Sequence, residues 1–301
     1  MPTERRWVTL TTKGASQMNE LVKMLQKAAK DEHAAVIQYL RHAYMLGEGE
    51  EACEIEAIAR DEMRHFWMLS RWIRKLGGTP TIERNPVDLG GTAISDWMHR
   101  DEEAEKRAIA LYRDYIAHIK DPALKADIER ILADEENHRE IFAHLAGKFR
   151  RLQSAEGRVP PQSEAPSLLP ADREALEWGV RHEYTALLQY LFHSFMVKDE
   201  EASRQLELQA INEMQHFGWL AEELAGKGRE MPLEPHPADL SLEPSSMLRA
   251  DIKLEQDTIR KYEHFIQRVQ DAKLKKLLTF IQNHEMYHEG LFKRLLSQLQ
   301  G

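Results

Sequence analysis

Every Glu-x-x-His tetrad in this 301-residue chain falls at one of four places: Glu62/His65, Glu135/His138, Glu213/His216 and Glu285/His288. On a helix, three residues turn the direction of projection by roughly 300°, so both side chains leave one face a single turn apart and can share a metal cluster. One such tetrad means little in a Glu-rich helical protein. Four more glutamates share a setting of their own, each seven residues before a tyrosine: Glu32 and Tyr39, Glu105 and Tyr112, Glu183 and Tyr190, Glu255 and Tyr262. Seven residues are nearly two turns, which stacks each Tyr above its Glu on one inward face. Each half of the chain thus offers four carboxylates and two imidazoles. Burying them without counter-charge is prohibitive; two divalent cations supply the compensation, and mixed oxygen and nitrogen donors suit iron or manganese. Glu102, one turn before Glu105, is a rival donor, but it reads better as a solvated acid in the stretch DEEAE, and its counterpart in the second half is Ile252.

Eight amphipathic helices must position these groups. Apolar residues recur at helical spacing over about 15–46, 51–76, 94–119 and 123–150, and again over about 172–197, 201–226, 244–269 and 272–299. Gly47, Gly77-Gly78 and Asp121-Pro122 supply stops in the first set. The Pro- and Ser-rich segment from Gln153 to Ala171 carries no apolar period and reads as a linker, dividing the chain into units 1–152 and 172–301. The two units repeat each other: DEHAAVIQYL at Asp31 matches HEYTALLQYL at His182, and RDEMRHF at Arg60 matches INEMQHF at Ile211, both at a shift of 151. Beyond the middle of the unit the shift becomes 150, as in Glu105 over Glu255 and Glu135 over Glu285, which places a one-residue deletion in a crossover loop. This is a tandem duplication of a four-helix unit, and the class is all-α. The two bundles are expected to pack about a pseudo-twofold axis, a pseudo-dimer within one chain.

Composition narrows the function. A net charge of −9 disfavours nucleic acid as a partner and suits cations better. Apolar runs are broken by charges within a few residues and the N-terminus lacks an apolar signal core, so the expectation is no membrane span. A single cysteine, Cys53, precludes an intrachain disulfide or a Cys-x-x-Cys site in this chain and fits a reducing cytoplasm.

The arrangement resembles the ferritin-like di-iron superfamily, in which two helices each give a Glu and two others each give a Glu-x-x-His. Both copies resemble bacterioferritin and its rubrerythrin-type relatives, through QYL after the first Glu and Glu-Met-x-His in each and through LGGTP and ILADEENH in the first. The resemblance implies that Glu62 and Glu135 bridge two metals, that Glu32 with His65 completes one and that Glu105 with His138 completes the other. In the second copy it implies bridging Glu213 and Glu285, with Glu183, His216, Glu255 and His288 as terminal ligands. Tyr39 and Tyr190 are then either one-electron donors, as the equivalent tyrosine is in bacterioferritins, or core tyrosines bonded to a ligand carboxylate. His42 and His193, three residues after those tyrosines, read as core or supporting histidines rather than ligands.

The same resemblance places Met63 and Met214 where bacterioferritin ligates haem at its subunit twofold. Methionine is also a common packing residue, and Met286 follows Glu285 as well, so packing is the preferred reading. The activity implied is that of a di-iron oxidoreductase, ferroxidase-like or peroxidase-like, acting on Fe(II) with O2 or H2O2. With one cysteine there is no rubredoxin-type module, so any reductant other than Fe(II) is an external electron donor. Iron storage in a shell is disfavoured because the last helix ends at LLSQLQG without a short fifth helix. Manganese catalase or an oxygenase would use the same ligands.

Overall fold

The computed structural model describes residues 12–156 and 168–300, and every regular element among them is a helix. The first bundle contains α1 (Thr12–Leu46), α2 (Glu50–Lys75), α3 (Ile94–His118) and α4 (Pro122–Glu156). The second contains α5 (Pro170–Met196), α6 (Glu200–Gly226), α7 (Pro244–Arg268) and α8 (Ala272–Gln300). No helix among the described residues is long and apolar enough to cross a membrane.

Local chemistry sets several of these ends. Gly47 at φ +90° leaves α1 through a left-handed turn that a side chain would strain. Asp121 accepts from the backbone N–H groups of Ala123 and Leu124, and Asp271 does the same for Lys273 and Leu274, so the α3–α4 and α7–α8 corners are tight copies of each other. One end differs from the sequence expectation. The last helix of the first bundle continues past Gln153 to Glu156, and Gln153 is engaged there as the acceptor of a 2.9 Å hydrogen bond from the Ser95 hydroxyl. Of the rest of the expected linker, 157–167 lie outside the described residues, and α5 begins within it at Pro170.

Within each bundle the longest packing seams join α1 to α2 and α3 to α4, or α5 to α6 and α7 to α8. The long crossovers between the two hairpins are pinned to the first helix by its own polar side chains. Gln38 Oε1 accepts from the Asp88 amide at 2.7 Å, and Gln189 Oε1 accepts from the Asp239 amide at the same distance. That matched pair keeps the 151 shift, whereas buried Asp101 and Asp251 are 150 apart, so the deleted residue lies between those points.

The bundles meet through α1 against α6 and α2 against α5, a reciprocal pairing. His33 Nε2 and the Tyr184 hydroxyl, 151 positions apart, lie 2.5 Å from each other, as residues on a pseudo-twofold axis must. Phe195 packs on Phe66 with ring centroids 6.3 Å apart, while Tyr44, the counterpart of Phe195, reaches α6 at Gly218. Rim contacts join Arg41 to Glu230 at 2.7 Å and Arg84 to the Leu233 carbonyl at 3.0 Å.

Candidate metal centres

Inside the first bundle, donor atoms of Glu32, Glu62, His65 and Glu135 lie within 4.8 Å of one another, as do those of Glu62, Glu105, Glu135 and His138. Glu62 and Glu135 belong to both groups, so their carboxylates stand between two adjacent sites. The second bundle repeats this with Glu183, Glu213, His216 and Glu285, and with Glu213, Glu255, Glu285 and His288, the shared pair being Glu213 and Glu285. All twelve side chains are buried. Helical periodicity is what brings them together: each tetrad presents its Glu and His inward from α2, α4, α6 or α8, and α1, α3, α5 and α7 each add one Glu.

The histidines turn Nδ1 toward the carboxylates and Nε2 away from them. His65 Nδ1 lies 2.9 Å from Glu62 and 3.0 Å from Glu135, and His138 Nδ1 lies 2.9 Å from Glu62. Outward, His65 Nε2 meets Asp134 at 3.2 Å and His138 Nε2 meets Asp61 at 3.4 Å. The second bundle keeps the ring orientations but not these partners: His216 Nε2 faces His284 at 3.0 Å, and His288 Nε2 faces Asn212 at 3.5 Å.

The stacked tyrosines cross between the helices that supply the single glutamates. Tyr39 on α1 donates to Glu105 on α3 at 2.6 Å, and Tyr112 on α3 donates to Glu32 on α1. Tyr190 donates to Glu255 at 2.5 Å and Tyr262 to Glu183. Each tyrosine therefore orients the glutamate of the partner helix rather than the one below it in its own.

So many acids in one core leave a clear electrostatic signature. Burial, reinforced by the charge of Glu135, pushes the Glu32 and Glu105 carboxyls well above the usual carboxylate range. Glu183 and Glu255 rise for the same reason, with Glu285 as the charged neighbour. Burial alone would lower the pKa of His138, but the neighbouring Glu135 and Glu62 carboxylates favour its charged form and raise it to about 10. Several inward atoms still lack a hydrogen bond of good geometry, among them Glu62 Oε1, Glu135 Oε1, His138 Nδ1, both oxygens of Glu285 and His288 Nδ1. Buried polar atoms left in this state cost free energy, and divalent cations bound among these oxygen and nitrogen donors would satisfy them. The residues therefore fit a dinuclear metal site in each bundle.

Outside these donor sets, Glu102 is half-buried beside His99 and Lys106. His42 and His193 are buried and face Asp101 and Asp251 at 2.8 Å, outside both donor sets. Met63 and Met214 are half-buried and pack against the apolar core. Sequence reasoning missed Asp101, which DEEAE hides in what reads as a solvated acidic run, and with it Asp251, although their 150 spacing marks them as equivalent. It also missed Asp61 and Asp134, whose signal is the Asp before the Glu in both tetrads of the first copy alone.

A ferritin-like domain model matches residues 22–152 and again 173–301. Bacterioferritin of Desulfovibrio desulfuricans is 28% identical over 142 residues, covering 44% of this chain and 78% of the relative. Bacterioferritin of Streptomyces coelicolor is 32% identical over 125 residues, covering 40% and 75% respectively. Among solved structures, the bacterioferritin BfrA of Mycobacterium tuberculosis aligns with a TM-score of 0.42 at 24% identity, over 48% of this chain and 96% of that one. With both four-helix units matched, the chain belongs to the ferritin-like domain family and carries its unit twice.

Proposed function

We propose that the chain is a di-iron carboxylate oxidoreductase, ferroxidase-like or peroxidase-like, acting on Fe(II) with O2 or H2O2. The observation that carries this reading is the pair of complete, buried donor sets, each with two carboxylates shared between adjacent sites. Glu62 and Glu135 would bridge the first pair of metals, with Glu32, His65, Glu105 and His138 as terminal ligands. Glu213 and Glu285 would bridge the second pair, with Glu183, His216, Glu255 and His288 completing it. Bound there, iron supplies the two electrons that reduction of dioxygen or peroxide requires.

The protein's own contribution is positioning and proton control. Asp134 and Asp61 hold the outer nitrogens of His65 and His138, which fixes the ring orientation and raises the basicity of the inward nitrogens. Tyr39 and Tyr190 point their hydroxyl protons at Glu105 and Glu255, so each holds its carboxylate in place and, with metals bound, would be placed to serve as a one-electron donor whose proton stays with that carboxylate. Both are therefore candidates for direct participation as well as for orienting a ligand. Reducing equivalents beyond those of Fe(II) would come from an external donor.

The test is metal analysis of anaerobically purified protein, followed by turnover with Fe(II) and either O2 or H2O2. Oxidant consumption matched to Fe(II) oxidation is expected. Manganese in the centres, with disproportionation of peroxide and no Fe(II) oxidation, would replace this reading with a catalase.

A further inference from the structure

The approaches to the two centres differ where the repeat is carried through residue by residue. In the first bundle a cavity of about 320 Å³ runs from exposed Lys27 down to Glu32, Glu105 and Glu135. Asp31, Asn85 and Ala108 line its wall. A water molecule occupies about 30 Å³ of liquid, so this space admits dioxygen or peroxide together with the waters that hydrate them.

In the second bundle the matching positions carry Trp178 for Lys27, His182 for Asp31, His236 for Asn85 and Thr258 for Ala108. All four replacements are bulkier in the region they occupy, and they close on one another. The Trp178 and His182 rings stack at 4.4 Å with an interplanar angle of 14°, and His236 packs 6.3 Å from His182. His182 Nε2 is hydrogen-bonded to the Thr258 hydroxyl across the gap between α5 and α7. Trp178 also meets Tyr262 edge-on at 5.4 Å, and Tyr262 holds Glu183 of the donor set. Lys261 Nζ sits 5.8 Å from the centroid of the same indole.

We propose that the two centres divide the work: the first exchanges dioxygen- or peroxide-sized reactants with solvent through its cavity, and the second is sealed behind Trp178, His182 and Thr258. This rests on the di-metal reading given above. It makes the duplicated site a place where one copy turns over while the other holds its metals out of reach of exogenous ligands. The substrate-facing residues are then Lys27, Asp31, Asn85 and Ala108, none of which belongs to the repeated donor set.

Cobalt(II) with azide as the entering ligand tests this without recourse to turnover. The full-length chain is loaded with Co(II) in two backgrounds, E213A/H216A to keep only the first centre and E62A/H65A to keep only the second. Azide should change the visible Co(II) spectrum of the first-centre protein and leave that of the second-centre protein unchanged. Adding W178K/H182D/T258A to the second-centre protein should create the response, and adding K27W/D31H/A108T to the first-centre protein should abolish it. A response from the second centre with its plug intact, or one that survives the closing substitutions in the first, overturns the proposal. If the opened variant fails to fold, the closing variant decides alone. Single-centre proteins that bind no Co(II) pair would instead overturn the di-metal reading itself, before any azide is added.

Discussion

Each imidazole of the first centre faces carboxylates at both nitrogens, inward the shared glutamates and outward Asp134 or Asp61. The six donors of a centre act together, so removing two should empty it while the other bundle keeps its own set. Glu62→Ala with His65→Ala should lower bound metal from about four ions per chain to about two, read by elemental analysis; unchanged content would refute the ligand assignment. Protons compete for the same atoms. Glu32, Glu105, Glu183 and Glu255 have raised pKa values, and His138 is raised from 6.5 to about 10. A group whose pKa is higher folded than unfolded adds stability that is fully present below the unfolded value and is lost as pH climbs through the folded one. The metal-free protein should therefore lose thermal stability as pH rises from 6.5 to 10. Metal binding should tighten over the same rise and release protons. Tm measured against pH with and without metal checks both signs, and a metal-free Tm that climbs across that window would contradict them.

Between helices, a buried polar tie outside the donor sets is the triad of Gln38, His42 and Asp101, repeated in the second bundle by Gln189, His193 and Asp251. Gln38 Nε2 donates to Asp101 at 2.8 Å, His42 Nδ1 meets the same carboxylate at 2.8 Å, and Trp97 stacks on His42 at 5.6 Å. It joins α1 to α3, and Gln38 also holds the crossover that connects the two hairpins. Replacing Asp101 by Ala would strand two buried partners at once and should cost about 3 kcal/mol or more in denaturant unfolding. A loss under 1 kcal/mol would show that water takes over the contacts. This triad also marks what sequence could and could not disclose. Helices and donors were legible because apolar period, glycine stops and Glu-x-x-His spacing are properties of a single segment. Asp101 was not, since its role depends on which distant helix it faces, and a carboxylate in DEEAE looks the same buried or solvated. The plug over the second centre was hidden in the same way: Trp178 and Thr258 belong to different helices and only their meeting gives them meaning.

Across the whole chain, the fit of one bundle on the other depends on a few close approaches. A Cβ built on Gly218 would stand 3.0 Å from the Tyr44 hydroxyl of the opposite bundle, and the first copy carries Trp67 at the equivalent position. Gly218→Leu should therefore destabilise the full chain by about 1–3 kcal/mol, and adding Tyr44→Ala should recover part of that loss. Simple additivity of the two changes would argue against the contact. The pair His33 and Tyr184 carries a further consequence. In a dimer of identical chains, a residue on the twofold meets its own twin, so it can change only in step with itself. Here an imidazole meets a phenol, a combination that no such dimer can place on its axis. Sharing one chain has thus freed the halves to diverge even on the axis itself, where each meets in the other a group unlike its own.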